Sequence, residues 1–237
     1  MKYSITGDNL QFVTMEIAEG ETVWAEAGAM VYMSANMDMK AELQGGLFKG
    51  IKRKLAGESF MITNFTSQGG PGVVAFGGNA PGKIFALDIT GKNFIAQKDA
   101  FLCAEKTVNW EIAFQKKLGS TFFGGEGLIL EHISGSGMVF FHACGDLVEI
   151  DLQPGQTYKI ATAHVVGWEE SVNYDIQAAG GIKTSMFGGE GFFLTTLTGP
   201  GKIVIQSMTL PQLADSLVPF LPHSSNSSGG GGFELNI

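Results

Sequence analysis

A short signature recurs along this chain, and its spacing constrains the fold more than any other feature. Residues 123–127 read F-G-G-E-G, residues 187–191 read the same, and residues 56–59 give a looser form, A-G-E-S. Seven positions after each glutamate stands an apolar residue followed by Thr or Ser. Glu58 leads to Phe65-Thr66, Glu126 to Ile133-Ser134 and Glu190 to Leu197-Thr198. Upstream, E-G-E-T at 19–22 matches T-G-K-N at 90–93 and P-G-Q-T at 154–157. The interval from the opening glycine to the repeated glutamate is equal in the second and third copies and slightly longer in the first. A self-similar period of this length predicts triplication of one supersecondary unit. The units run over about 20–88, 89–152 and 153–208.

Within each unit two short strands come first. Val23-Trp24-Ala25, Phe94-Ile95-Ala96 and Tyr158-Lys159-Ile160 are the first members. Met30-Val31-Tyr32, Phe101-Leu102-Cys103 and Val165-Val166-Gly167 are the second. A polar–apolar alternation follows at Val108, Trp110, Ile112 and Phe114, and again at Val172, Tyr174 and Ile176. The two-residue period puts each set on one face of a half-buried strand. Glycines at Gly69-Gly70, Gly135 and Gly199 predict that the strand after each repeated glutamate turns back as a hairpin. Pro211, with Leu210, Leu213, Ala214 and Leu217 on one face, predicts a short helix over 211–218, ended by Pro219 and Pro222. Residues 223–232 are a Ser/Gly-rich linker, and Phe233–Ile237 alternates like a terminal strand.

Composition agrees with many short strands and tight turns. Glycine numbers 34 of 237 residues, charged residues make up only 16%, and 44% of the chain is hydrophobic. The expected fold is all-β: an antiparallel β-sandwich or double-stranded β-helix-like barrel, with pseudo-threefold symmetry and a short C-terminal helix. A net charge of −8 makes nucleic acid and anionic membranes poor partners. No apolar run reaches the length of a spanning helix, and Met1–Asn9 has no signal-peptide core, so a cytoplasmic protein is expected. Cys103 and Cys144 lack a C-x-x-C spacing and read as reduced packing residues.

Candidate chemistry is sparse. Around a threefold axis Glu58, Glu126 and Glu190 could converge and share a cation or proton. Alternatively, each carboxylate accepts local backbone N–H groups and fixes its own turn. Lys49, Lys52, Arg53 and Lys54 form a basic loop able to meet phosphate or RNA, or simply to face solvent. Four histidines suggest a cupin-like metal site, but a hairpin at Gly135-Ser136 would put His132 and His142 on opposite faces, and no H-x-H or H-E-x-x-H occurs. The glycines form neither a dinucleotide fingerprint nor a Walker loop, and no G-x-S-x-G elbow is present. No catalytic residue, metal or cofactor is predicted.

The run G-G-L-F-K-G-I-K-R-K-L-A-G-E-S-F at 45–60, the F-G-G-E-G copies, H-V-V-G-W at 164–168 and V-P-F-L-P before the Ser/Gly tail carry a resemblance. Across residues 1–222 the chain resembles the family named for the altered inheritance of mitochondria protein twenty-four. The resemblance implies a β-sandwich or double-stranded β-helix, grouped by fold with the tryptophan RNA-binding attenuation protein. It implies no catalytic residues and brings no tryptophan or RNA site, because function resides in sites rather than folds. The expectation is a non-enzymatic structural or protein-interaction module, homo-oligomeric, whose partner is itself or another protein. The alternatives are a small-ligand-binding barrel with a carboxylate-lined pocket, and RNA binding through the basic loop.

Overall fold

The structure, a computed structural model, describes residues 1–43, 61–116, 128–178 and 193–221. The chain opens with an antiparallel hairpin, β1 (Lys2–Thr6) and β2 (Phe12–Ile17). Next come β3 (Thr22–Glu26), β4 (Met30–Met33), β5 (Met37–Leu43), β6 (Met61–Ser67), β7 (Gly72–Gly77) and β8 (Gly82–Asp88). The same sequence of elements then recurs as β9 (Phe94–Gln97), β10 (Phe101–Glu105), β11 (Val108–Lys116), β12 (Leu128–Gly135), β13 (Met138–Cys144) and β14 (Leu147–Leu152). It begins again with β15 (Thr157–Ala161), β16 (Val165–Glu169), β17 (Asn173–Ala178), β18 (Phe193–Thr198) and β19 (Gly201–Gln206). Here a helix, Leu210–Leu217, stands where another strand would follow. Among the described residues the fold is all-β apart from short helical pieces, and every strand-to-strand ladder is antiparallel.

Strands consecutive in sequence are mostly not partners. The sheets run β1-β2-β7-β4, β5-β6-β3-β10-β13-β8, β11-β12-β9-β16-β19-β14 and β15-β18-β17. Each six-stranded sheet joins strands from two successive stretches of chain through a central ladder. In one, Cys103, Ala104 and Glu105 of β10 pair with Ala25, Trp24 and Val23 of β3. In the other, Gly167, Trp168 and Glu169 of β16 pair with Ala96, Ile95 and Phe94 of β9. The expected hairpins at Gly135-Ser136 and its two counterparts are therefore not formed. β12 lies between β11 and β9, whereas β13 lies between β10 and β8, so the turn carries the chain from one sheet to the next.

The sheets stack as layers, and three apolar cores lie between them. Val13, Met15, Phe65, Phe76 and Phe140 join the first sheet to the second. Trp24, Phe85, Phe94, Phe101, Phe141 and Val204 join the second to the third, with Trp24 stacked on Phe101 at 4.5 Å between ring centroids. Ile95, Leu130, Trp168, Leu197 and Ile203 join the third to the fourth. Both faces of the two central sheets are thus covered, which is why β10 reads F-L-C-A without a polar break and all four residues are buried. β15, in the terminal sheet, reads T-Y-K-I-A, and Tyr158 and Lys159 are exposed.

The opening glycines have a shared backbone reason. Gly20, Gly91 and Gly155 adopt φ of 78°, 76° and 78°, and each ends a turn closed by a backbone bond three residues back, such as Glu21 N–H to the Ala18 carbonyl. A side chain resists that left-handed region, so glycine is needed at all three. The second strand of each set carries an irregularity at one place. The register shifts between Met30 and Tyr32 against β7, between Phe101 and Cys103 against β13, and between Val165 and Gly167 against β19. A further bulge, between Ile112 and Phe114, corrects the expected alternation in β11. Val108, Trp110 and Ile112 enter the central core, whereas Phe114 turns to the opposite face and packs against the core between the third and fourth sheets.

Gly167 gives a direct check on this layering. A Cβ there would lie 2.3 Å from Phe94 Cε1 and 2.5 Å from the Ile95 carbonyl oxygen. Gly167→Val should lower the denaturation midpoint by the equivalent of about 1–3 kcal/mol, the usual cost of overfilling a packed core. An unchanged midpoint would show that β9 and β16 are not this close.

Candidate functional site

All of the site residues expected from the sequence fall outside the described residues. Glu58, Glu126 and Glu190 do so, as do Lys49, Lys52, Arg53 and Lys54 of the basic loop. The linker and terminal strand over 223–237 lie outside them as well.

Within the described residues a different group of acids meets, near the corner where β9 passes through the short helical turn Lys98–Ala100 into β10. Glu26 closes β3, two residues beyond Trp24, so the pleat aims both toward the core between the second and third sheets. Glu131 sits in β12 opposite Ala96, two residues before Ile133, and faces the same core from the other side. Asp99 belongs to the turn itself. Glu131 is fully buried, and among the described residues neither of its oxygens accepts a hydrogen bond of good geometry. Burial holds its proton on far above the usual carboxylate range; the Trp110 indole and Lys98 oppose this, and Glu26 and Asp99 reinforce it. Burial, then the Asp99 charge, pushes Glu26 up to about 7, with Lys98 acting against them.

Two neighbouring clefts open at this corner. One, of about 550 Å³, is lined by Gln97, Asp99, His142 and Gln206 and walled by Leu210 and Pro211 of the helix. The other, of about 290 Å³, is lined by Glu26, Gly78, Asn79, Asp99 and His142. His142 projects from β13, is only 7% exposed and, among the described residues, has no hydrogen-bond partner at Nε2. Burial lowers its pKa against the opposing Ala80 carbonyl, so the neutral ring is favoured. Gly78 is required beside it, since a Cβ there would fall 2.1 Å from the imidazole Cγ.

Among the described residues the histidines do not gather. His132 pairs with Ile95 and Glu111 in the third sheet and reaches Glu111 at 3.5 Å and Glu170 at 3.3 Å. His142 lies in the second sheet, so a difference of sheet separates the two, rather than the opposite faces of one hairpin. His164 makes a 2.8 Å bond from Nδ1 to the Gln206 carbonyl oxygen, and Gln212 lies 3.3 Å from its Nε2. Gln212 also completes a capping box with Thr209, which starts the helix one residue earlier than the proline alone suggested. Among the described residues no three acidic, histidine or cysteine side chains are arranged to hold a metal ion.

The corner carboxyls predict a pH dependence. Both hold their protons more tightly in the folded state, so their stabilisation is complete below the ordinary value of 4.5 and declines as pH rises. The Glu26 contribution is lost by about pH 7, and the loss due to Glu131 continues above it. Against Glu131→Gln, the native chain should lose up to about 1.4 kcal/mol per pH unit above that onset. Denaturant titrations of both chains from mildly acidic to mildly alkaline pH check this; parallel stability curves would contradict it.

Comparison with known proteins places the chain among relatives. It is 34% identical to an uncharacterised protein of Streptococcus pyogenes serotype M6 over 228 residues, covering 92% of this chain and 90% of that one. It also resembles the X-ray crystal structure of a Streptococcus pyogenes protein with a TM-score of 0.78 and 31% identity, covering 93% of this chain and 99% of the other. Among the described residues no helix is long and apolar enough to cross a membrane. Residues 3–208 match the family described as Mitochondrial biogenesis AIM24, and the chain belongs to that family.

Proposed function

We propose that this protein is a non-enzymatic interaction module that associates, with itself or another protein, through open sheet edges. The observation that carries this is a pair of outer sheets that, among the described residues, each end on a strand paired on one side only. β15 and β4 are edges of the outer sheets, whereas β3 and β9, the strands matching β15, and β10 and β16, those matching β4, are central in their sheets. Val31 and Tyr32 of β4 are 56% and 46% exposed, although their counterparts Leu102, Cys103, Val166 and Gly167 are buried. Exposed apolar edges with unpaired backbone groups favour strand addition by a partner.

The reading treats the chain as three related units, supported by the recurring element order, the matched glycine turns and the matched register shifts. Kinship in fold with the tryptophan RNA-binding attenuation protein belongs to the same proposal and brings no ligand with it. The cytoplasm is the proposed compartment; buried free Cys103 and Cys144 suit a reducing environment. A second reading, small-ligand binding, is favoured by one observation: the unpartnered Nε2 of buried His142 beside the larger cleft. Native mass spectrometry of freshly purified protein tests it, with a retained small molecule in favour and the bare chain against.

For the interaction reading, light scattering at increasing concentration should give a mass above the 25.2 kDa chain. Alternatively, affinity capture should recover one saturable partner whose binding Val31→Lys abolishes. A monomer that captures nothing at any concentration would contradict the proposal.

A further inference from the structure

We infer that the partner is a second copy of this chain, joined head to tail, with β15 of one copy adding to β4 of the next. This rests on the interaction reading above and names its partner and register. Two ladders within the chain already show how a strand of the β15 kind meets one of the β4 kind. Tyr158 corresponds to Val23 and Phe94: it lies three residues after its turn glycine and opposite Leu197, as they lie opposite Phe65 and Ile133. Ile160 then matches Ala25 and Ala96. On the other strand, Tyr32 matches Cys103 and Gly167, because each directly follows the register shift. Carrying over the observed pairs of Cys103 with Ala25 and Gly167 with Ala96 fixes the register. Tyr32 would face Ile160, Met33 would face Lys159, and Ser34 would face Tyr158.

The two outer sheets are complementary halves. One contributes β15-β18-β17, the portion equivalent to β3-β6-β5, and the other contributes β4-β7-β2, equivalent to β10-β13-β8. Joined, they make a third six-stranded sheet of the same strand order, with β1 as an additional edge. Every backbone donor and acceptor on the two facing edges gains a partner. The Tyr32 ring already lies along its own sheet, 6.3 Å from Phe12 with its hydroxyl 3.0 Å from Thr14 Oγ1, which leaves the strand edge open. Because the two surfaces differ, the contact is heterologous, and it generates either rings or open chains of copies.

Disulfide trapping tests the register. Facing residues in an antiparallel pair lie about 4.5–5.5 Å apart at Cα, within disulfide reach. Mixed Met33→Cys and Lys159→Cys chains, distinguishable by mass, should oxidise to a mixed dimer. Val31→Cys mixed with Lys159→Cys should do so far less. Cys103 and Cys144 are buried and stay silent. Lys159→Pro removes the outward amide, since Lys159 matches Trp24 and Ile95 whereas Tyr158 and Ile160 bond inward to β18, and should shift the native assembly to monomer with its circular dichroism unchanged. Oligomers without the mixed dimer would overturn the inference and leave the interaction reading standing. A monomeric native chain, or a bond formed only within a doubly substituted chain, would overturn the inference as well. A monomer that also captures no other protein would remove the interaction reading with it.

Discussion

The backbone ladders between β3 and β10 and between β9 and β16 hold this architecture together. Each joins strands from successive stretches of chain, and each runs through the middle of a sheet that is covered on both faces. Unpaired amides there would be cut off from water at a cost of several kcal/mol apiece, so these ladders leave little freedom in register. The packing obeys the same constraint. Gly167 is small because Phe94 and the Ile95 carbonyl oxygen lie against it, and Trp24 stacks on Phe101 across the paired strands.

A chain built this way has a problem at its ends. Among the described residues β3 and β10, like β9 and β16, have a partner on both sides, whereas β4 and β15 have one on a single side. The outward row of the last sheet, Lys159, Thr196 and Asp175, is polar in keeping with a terminal layer, yet the edge strand itself is unblocked by proline or bulge. At the other end β4 exposes Val31 and Tyr32.

Much of the scaffold was legible in the residues. The three glycine turns and the paired short strands follow from local spacing, because positive φ and two-residue periodicity are local properties. Partner choice was not legible. Ile133 and Met138 look like facing members of a hairpin, but the strands they occupy belong to different sheets, since burial of both faces outweighs proximity along the chain. The bulge that turns Phe114 away from Trp110 is equally invisible in an unbroken alternation. The acidic corner escaped because Glu26, Asp99, Glu131 and His142 are far apart in sequence and form no motif. One signal was available: Glu131 interrupts L-I-L-E-H-I, an acid inside a run otherwise suited to burial.

Hydrogen exchange at the six matched strands tests most directly whether shared sheets organise this protein. Amides in the β3–β10 and β9–β16 ladders should exchange slowly at every concentration. The outward amides of β4 and β15 should exchange fast in dilute solution and become protected, both together, as concentration rises. Fast exchange in the two internal ladders would refute the pairing itself. Protection of β4 and β15 that ignores concentration would refute the claim that another chain completes the outer sheets.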